Sequence, residues 1–278
     1  MVCKIQDYSC IQHLARSLFL GHDWRKCFLA MYTAYFDASG TLGEPVMAVA
    51  GYVTTVEHWE KFDCGWRIAL AHDNVAYFHM KEFAGCRGAF KNWSADQVSR
   101  RTNLLKRLVD VVRVACGCGL STLSAVRKAD FETVNQKFCL QETFGNPYSL
   151  CGVACALKAE QWKAQTSRTE PSEYVFEHGD KGWMELKTAF DKYDLPIPIQ
   201  KKKRNRNNPN GPTPLEAADF AAWEMRKAIA TIEEKKLRGV AELRRPLHAL
   251  RAVQNRAWGV LTLARLTQFC KEHGVPAR

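Results

Sequence analysis

Met31-Tyr-Thr-Ala-Tyr-Phe-Asp-Ala-Ser-Gly-Thr41 is the stretch on which the reading of this chain turns. Tyr32, Tyr35 and Phe36 suit a half-buried pleated strand, and Ser39-Gly40 suits a tight turn after it. Asp37 suits neither a strand interior nor an apolar core. It is expected where the strand stops and solvent or a ligand begins. Side chains alternate along a strand, so Thr33, Tyr35 and Asp37 share a face. Alone, an aspartate before Ser-Gly is most simply a turn former. Its meaning depends on which other acids the fold brings beside it.

Two later stretches supply such acids. In Glu173-Tyr-Val-Phe-Glu177-His-Gly-Asp180 an apolar strand ends in Glu177 and is followed by a glycine turn. Asp180 then stands at the start of a helix, where it also fits as an N-cap. In Pro214-Leu-Glu-Ala-Ala-Asp219-Phe-Ala-Ala-Trp223 a helix opens on proline, and Asp219 sits among small and apolar residues. A carboxylate on a packing face must be paired or must bind a metal, because burying it bare is very costly. A salt bridge to one of the many Lys and Arg side chains would serve equally well for Asp219 taken alone. If the two strands are neighbours, however, Asp37 and Glu177 lie side by side, and the helix can add Asp219. Clustered carboxylates repel and call for a cation, and oxygen ligands suit Mg²⁺ or Mn²⁺ better than zinc.

Between these stretches the pattern alternates strand and helix. Val46–Thr54 predicts a second strand of a hairpin, Val75–His79 a short third strand, and Gly119–Val126 and Ile197–Lys201 two more. Trp59, Phe62, Trp66 and Leu70 recur at helical spacing over Val56–Ala71. Ser94-Ala-Asp-Gln97 reads as a capping box opening a helix that runs to Ala115. Pro147–Thr166, Lys181–Tyr193, Pro214–Ile232 and Trp258–His273 are further helices. This predicts one α/β domain over residues 31–232. Residues 1–30, with a helix around 9–20, form an N-terminal appendage, and 233–278 form a C-terminal helical extension packed on the same domain.

Two features bear on partners. Lys201-Lys202-Lys203-Arg204-Asn-Arg206 places five cations in six residues, inside a polar, proline-rich loop over Lys202–Pro214 that is expected to be mobile. Such a run is either a solubilising loop or a grip on a phosphate backbone. The net charge of +11 favours a polyanionic partner such as nucleic acid. His79 leads out of its strand end, and Lys81 could meet a phosphate or a carboxylate, though both also fit as ordinary surface residues.

The 11 cysteines are odd in number and irregularly spaced, and no secretory signal is visible, so a reduced, cytoplasmic protein is expected. Cys116/Cys118 and Cys151/Cys155 lack a second pair at zinc-ligand spacing and read as small buried hydrophobes. No apolar run approaches the ~20 residues needed to cross a bilayer, so no membrane partner is expected.

Four of these stretches together resemble a known family. Tyr35-Phe-Asp37-Ala-Ser-Gly40 is similar to the opening Asp-Glu-Ser-Gly strand of the large, mostly prokaryotic domain-of-unknown-function family numbered thirty-eight hundred. Phe78-His79-Met80-Lys81 resembles its second motif, Val175-Phe-Glu177-His-Gly-Asp180 its later acidic strand, and Leu215-Glu-Ala-Ala-Asp219-Phe its C-terminal Leu-Gln-Leu-Ala-Asp helix. They occur in the family's order. The resemblance implies a ribonuclease-H-like mixed β-sheet flanked by helices, in which acids from the first strand, a later strand and the last helix hold metal. On this chain those are Asp37, Glu177 and Asp219, with Asp180 a further candidate. One departure stands out: the family's second acid in the opening motif is Ala38 here.

The expected function is a metal-dependent phosphodiesterase, a nuclease using Mg²⁺ or Mn²⁺. His79 or Lys81 would assist proton transfer or neutralise phosphate charge, and Lys201–Arg206 would contact the backbone. The second reading is a ribonuclease-H-like nucleic-acid-binding or adaptor protein whose site has decayed.

Overall fold

The computed structural model describes residues 31–235, 245–251 and 255–278. The expected helix around 9–20 lies outside them. The strands are β1 (Tyr32–Ser39), β2 (Val46–Thr55), β3 (Leu120–Arg127), β4 (Ser172–Glu177), β5 (Ile199–Lys201) and β6 (Arg256–Leu261). The helices are α1 (Val56–Ala71), α2 (Met80–Ala84), α3 (Val98–Ala115), α4 (Lys128–Asn135), α5 (Leu140–Phe144), α6 (Pro147–Gln165), α7 (Trp183–Lys192), α8 (Pro214–Lys235), α9 (Arg245–Leu250) and α10 (Leu263–Glu272).

The strands form one mixed sheet in the order β5-β4-β1-β2-β3-β6. β1, β2 and β3 run as an antiparallel meander, β4 pairs parallel with β1, and β5 pairs parallel with β4. The central strands are buried on both faces, which is why they read as near-continuous apolar runs. Alternation divides the core in two. Tyr35, Ala48, Ala50, Tyr52, Leu123 and Val175 face α1, α3 and α8, while Ala34, Phe36, Val49, Val53, Tyr174 and Phe176 face α6, α7 and α10. On the first face Trp59, Phe62, Trp66, Phe78, Phe83, Phe90 and Trp93 form a chain of mostly edge-to-face rings. Trp59 Nε1 donates to the Thr33 carbonyl at 2.8 Å and ties α1 to β1.

Several elements differ from the sequence reading. Val75–His79 is not a strand; side chains take its Phe78 N–H and its Ala76 carbonyl. Ser94 does not cap α3, which starts at Val98 with Gln97 at its N-cap. Trp258 opens no helix. Residues Arg256–Leu261 pair parallel with the free edge of β3, where Trp258 Nε1 donates to Ser121 Oγ at 2.8 Å. The C-terminal segment is therefore a sixth strand followed by a helix, part of the sheet rather than a helical addition to it. The short helices α4 and α5 span eight and five residues, too few to show a helical period in the sequence. Cys116 lies in one core and Cys151 and Cys155 in the other, as small buried hydrophobes, whereas Cys118 is exposed and corrects that expectation.

Gly51 is the tightest point of the central hairpin. A methyl group there would overlap the Tyr35 carbonyl oxygen and the Phe36 ring in the adjacent strand. Gly51→Ala should lower stability by about 1–3 kcal/mol, the usual cost of overpacking a core. The urea unfolding midpoint reads this, and a wild-type midpoint would show that β1 can move aside.

Candidate carboxylate site

The pairing of β1 with β4 runs in register from Tyr32↔Ser172 to Phe36↔Phe176. The next residues along each strand are Asp37 and Glu177, and both fall on the face covered by α8. Asp219 lies in the second turn of α8, which packs across β1 and β2. Arg226, two turns further on, fixes the helix against the β1–β2 turn. Its Nε donates to Ser39 Oγ at 2.9 Å and its Nη1 to Glu44 Oε2 at 2.5 Å.

The three carboxylates meet at one cation supplied by the chain itself. Lys203 Nζ lies 2.7 Å from Asp37 Oδ2, 3.3 Å from Glu177 Oε2 and 3.5 Å from Asp219 Oδ1. The Lys203 side chain is 13% exposed and that of Asp37 3%. Burial alone would push the Lys203 pKa down, but Asp219, Asp37 and Glu177 outweigh it and hold the ammonium well above its ordinary range. The acids rise too: burial pushes Asp37 up despite the Lys203 charge beside it. Burial, reinforced by the Asp37 charge, pushes Glu177 up to about 8 and Asp180 up to about 7. Glu177 Oε2 and Asp180 Oδ2 are buried and accept no hydrogen bond from the described residues. Among the described residues no three Asp, Glu, His or Cys side chains are already grouped at metal-ligand spacing. The three strand and helix acids gather around an ammonium instead.

Two acids on one face of α8 also organise the Phe78-His79-Met80 segment. Glu216 Oε2 accepts from the Phe78 N–H at 2.9 Å and from Trp66 Nε1 at 2.7 Å. Asp219 Oδ2 accepts from the Met80 N–H at 2.7 Å. Arg204 lies 3.5 Å from Glu216 Oε1 and donates to the Ala76 carbonyl. The segment is extended, yet side chains rather than a neighbouring strand take the Phe78 and Met80 N–H groups and the Ala76 carbonyl. Glu216 and Asp219 stand three residues apart and so share a helix face. That spacing was visible in the sequence; what it holds was not.

The remaining expected residues divide between inside and outside. His79 is partly exposed, with Nδ1 3.7 Å from Glu82 Oε1. It lines a cleft of about 560 Å³ together with Glu177, His178, Lys202, Lys203 and Arg206. Lys81 is exposed on α2 and is not among the residues lining that cleft. Asp180 lines a second hollow of about 390 Å³ on the other side, with Ala38 and Tyr148. In the basic run Lys202 and Arg206 are exposed, Lys201 is half-buried at the end of β5, and Lys203 and Arg204 point inward. The expectation that all five grip a backbone is corrected for Lys203 and Arg204, whose charges face carboxylates. No sequence signal separates Lys203 from its neighbours, since the turn of the loop alone decides which cation faces in. Nor is the loop a free one: Asn208 Nδ2 donates to the carbonyls of Lys202 at 2.8 Å and Lys203 at 3.2 Å.

Glu216 offers a test of this reading. Burial pushes its pKa from 4.5 up to about 7, against the opposing pull of Arg204, Trp66 and the Phe78 N–H. The native state thus holds this proton more tightly than the unfolded chain. Its contribution to stability is complete below about pH 4.5 and is lost as pH rises toward about 7. Glu216→Gln should remove that part of the slope when unfolding midpoints are followed across the range; identical slopes would count against it. Comparison with protein-family models, with curated proteins and with solved structures returned no match for this chain.

Proposed function

We propose that the chain is a metal-dependent phosphodiester hydrolase of ribonuclease-H-like fold, a nuclease, with Asp37, Glu177, Asp180 and Asp219 as its metal-holding residues. One observation carries this reading. Acids from the first strand, a later strand and the long helix converge on a single positive charge, Lys203 Nζ. That is the origin of ligands which the motif resemblance implies. The donor set fits Mg²⁺ or Mn²⁺: every ligand is a hard oxygen, and Glu177 Oε2 and Asp180 Oδ2 are buried without a hydrogen-bond partner among the described residues.

A divalent ion held by these acids would supply charge for activating water and stabilising the departing oxygen of a phosphodiester. The chain's own residues do the rest. His178, Lys202 and Arg206 line the cleft that opens on Glu177 and present positive charge or donors to the phosphates of an extended polyanion. His79 stands in the same cleft with Glu82 beside its Nδ1, and it is the group placed to move a proton at the reacting phosphate. Lys203 neutralises the acids while the cleft fills.

A second reading draws on the same ammonium. Lys203 already lies within 3.5 Å of three carboxylates, and Ala38 removes one acid, so the fold could serve as a nucleic-acid-binding adaptor without chemistry. Calorimetry with Mn²⁺ separates the two, since the adaptor takes up none. For the hydrolase, Asp37→Asn should reduce Mg²⁺- or Mn²⁺-dependent cleavage of a DNA and RNA panel by about 10²-fold or more, the equivalent of losing several kcal/mol of charge stabilisation. Equal cleavage by the two proteins would end the role given to Asp37.

A further inference from the structure

A lysine that completes a carboxylate site can behave in two ways toward a divalent ion. It can hold the place and swing out when the ion arrives, or it can stay and provide part of the positive charge. The loop that carries Lys203 decides between them. Arg204, the next residue, is buried between Glu216 and the Ala76 carbonyl. The Asn208 side chain donates to the carbonyls of Lys202 and Lys203, and paired backbone hydrogen bonds of 3.1 Å join Asn205 to Asn208. Gly211 lies so close to the Lys203–Arg204 peptide that an added Cβ would overlap it. The main chain around Lys203 is therefore fixed from three sides, which does not suit a side chain that must leave with its loop.

The unsatisfied groups lie elsewhere in the cluster. Asp180 Oδ2 and the fully buried Tyr148 hydroxyl have no hydrogen-bond partner among the described residues, and both residues line the hollow beside Ala38. Glu177 Oε2 meets Lys203 only at 3.3 Å and accepts no hydrogen bond from the described residues. Asp37 and Asp219, by contrast, each receive a donor at 2.7 Å, from Lys203 and from the Met80 N–H.

We infer that Lys203 is a permanent cationic member of the site: it fills one of the two positive positions that such a cluster would otherwise give to divalent ions, and the site takes a single Mg²⁺ or Mn²⁺, held from the Glu177–Asp180 side. This rests on the hydrolase reading above. Ala38 agrees with it, since one acid fewer suits one ion fewer. Lys203 acts here as a positioning residue that supplies charge and keeps Asp37 and Asp219 in place.

Counting bound Mn²⁺ by electron paramagnetic resonance tests this without reference to activity. Wild type should bind about one ion per chain, and Lys203→Ala about two. Two ions in wild type, or one in both proteins, overturns the inference and leaves the hydrolase reading standing. No ion in wild type but one in Lys203→Ala overturns it in favour of a lysine that blocks the site. No ion in either protein removes the hydrolase reading and the inference with it. A second measurement needs no variant: acylation of lysines in wild type, read by peptide mass spectrometry. Lys203 should stay unlabelled with and without Mn²⁺, and labelling that appears on adding Mn²⁺ would show that it swings out.

Discussion

An ammonium among buried carboxylates is the interaction on which the rest of this molecule depends. Asp37 and Glu177 stand on the sheet face covered by α8, Asp219 reaches them from that helix, and the core around them is largely apolar. Each acid would be driven to hold a proton there without a partner, because neither water nor a wide dielectric screens it. Lys203 supplies the partner, and its own burial is tolerable only because three acids surround it. Removing either side of such an arrangement leaves the other as an uncompensated buried charge. The loop over Lys202–Pro212, the seat of Arg204 and the close approach of Gly211 all follow from the need to deliver that one nitrogen.

The same logic reaches the backbone. Glu216 and Asp219 are helix residues, yet they serve as acceptors for the Phe78 and Met80 N–H groups. They hold an extended segment against α8 in place of a neighbouring strand. His79 lies between the two anchored residues and so is aimed at the cleft by its backbone, while its side chain remains free to meet a ligand. Arg204 closes this second network as Lys203 closes the first. Adjacent residues of one loop thus neutralise acids of two adjoining clusters.

Charge is accordingly split by position. Part of the basic run turns inward and balances acids, and part faces the cleft. The excess of +11 belongs to the chain as a whole, but in this run Lys202 and Arg206 are the cations that a polyanion entering the cleft could reach. A run of like charges in sequence is therefore a poor guide to a binding surface, because residues one apart can face opposite ways in a loop.

The sequence by itself determined the α/β alternation, the strand that carries Asp37, and the alternation that sets Asp37 on the face of Tyr35 and Glu177 on the face of Val175; the pairing of the two strands is tertiary. Strand period and apolar pattern are local properties, and they survive into the fold. It also marked Asp219 as an acid on a packing face, since the apolar residues around it are its neighbours along the helix. What only the tertiary structure decided depends on contacts between distant residues. Lys203 rather than Lys202 turns inward because Asn208 and Gly211 set the loop. Val75–His79 is not a strand because α8 satisfies its backbone. Trp258 lies in a strand because β3 offers it an edge. Asn208 and Gly211 share the loop with Lys203, but the other partners are far away in sequence, and a hydrogen bond or a charge pair across the core leaves no period to read.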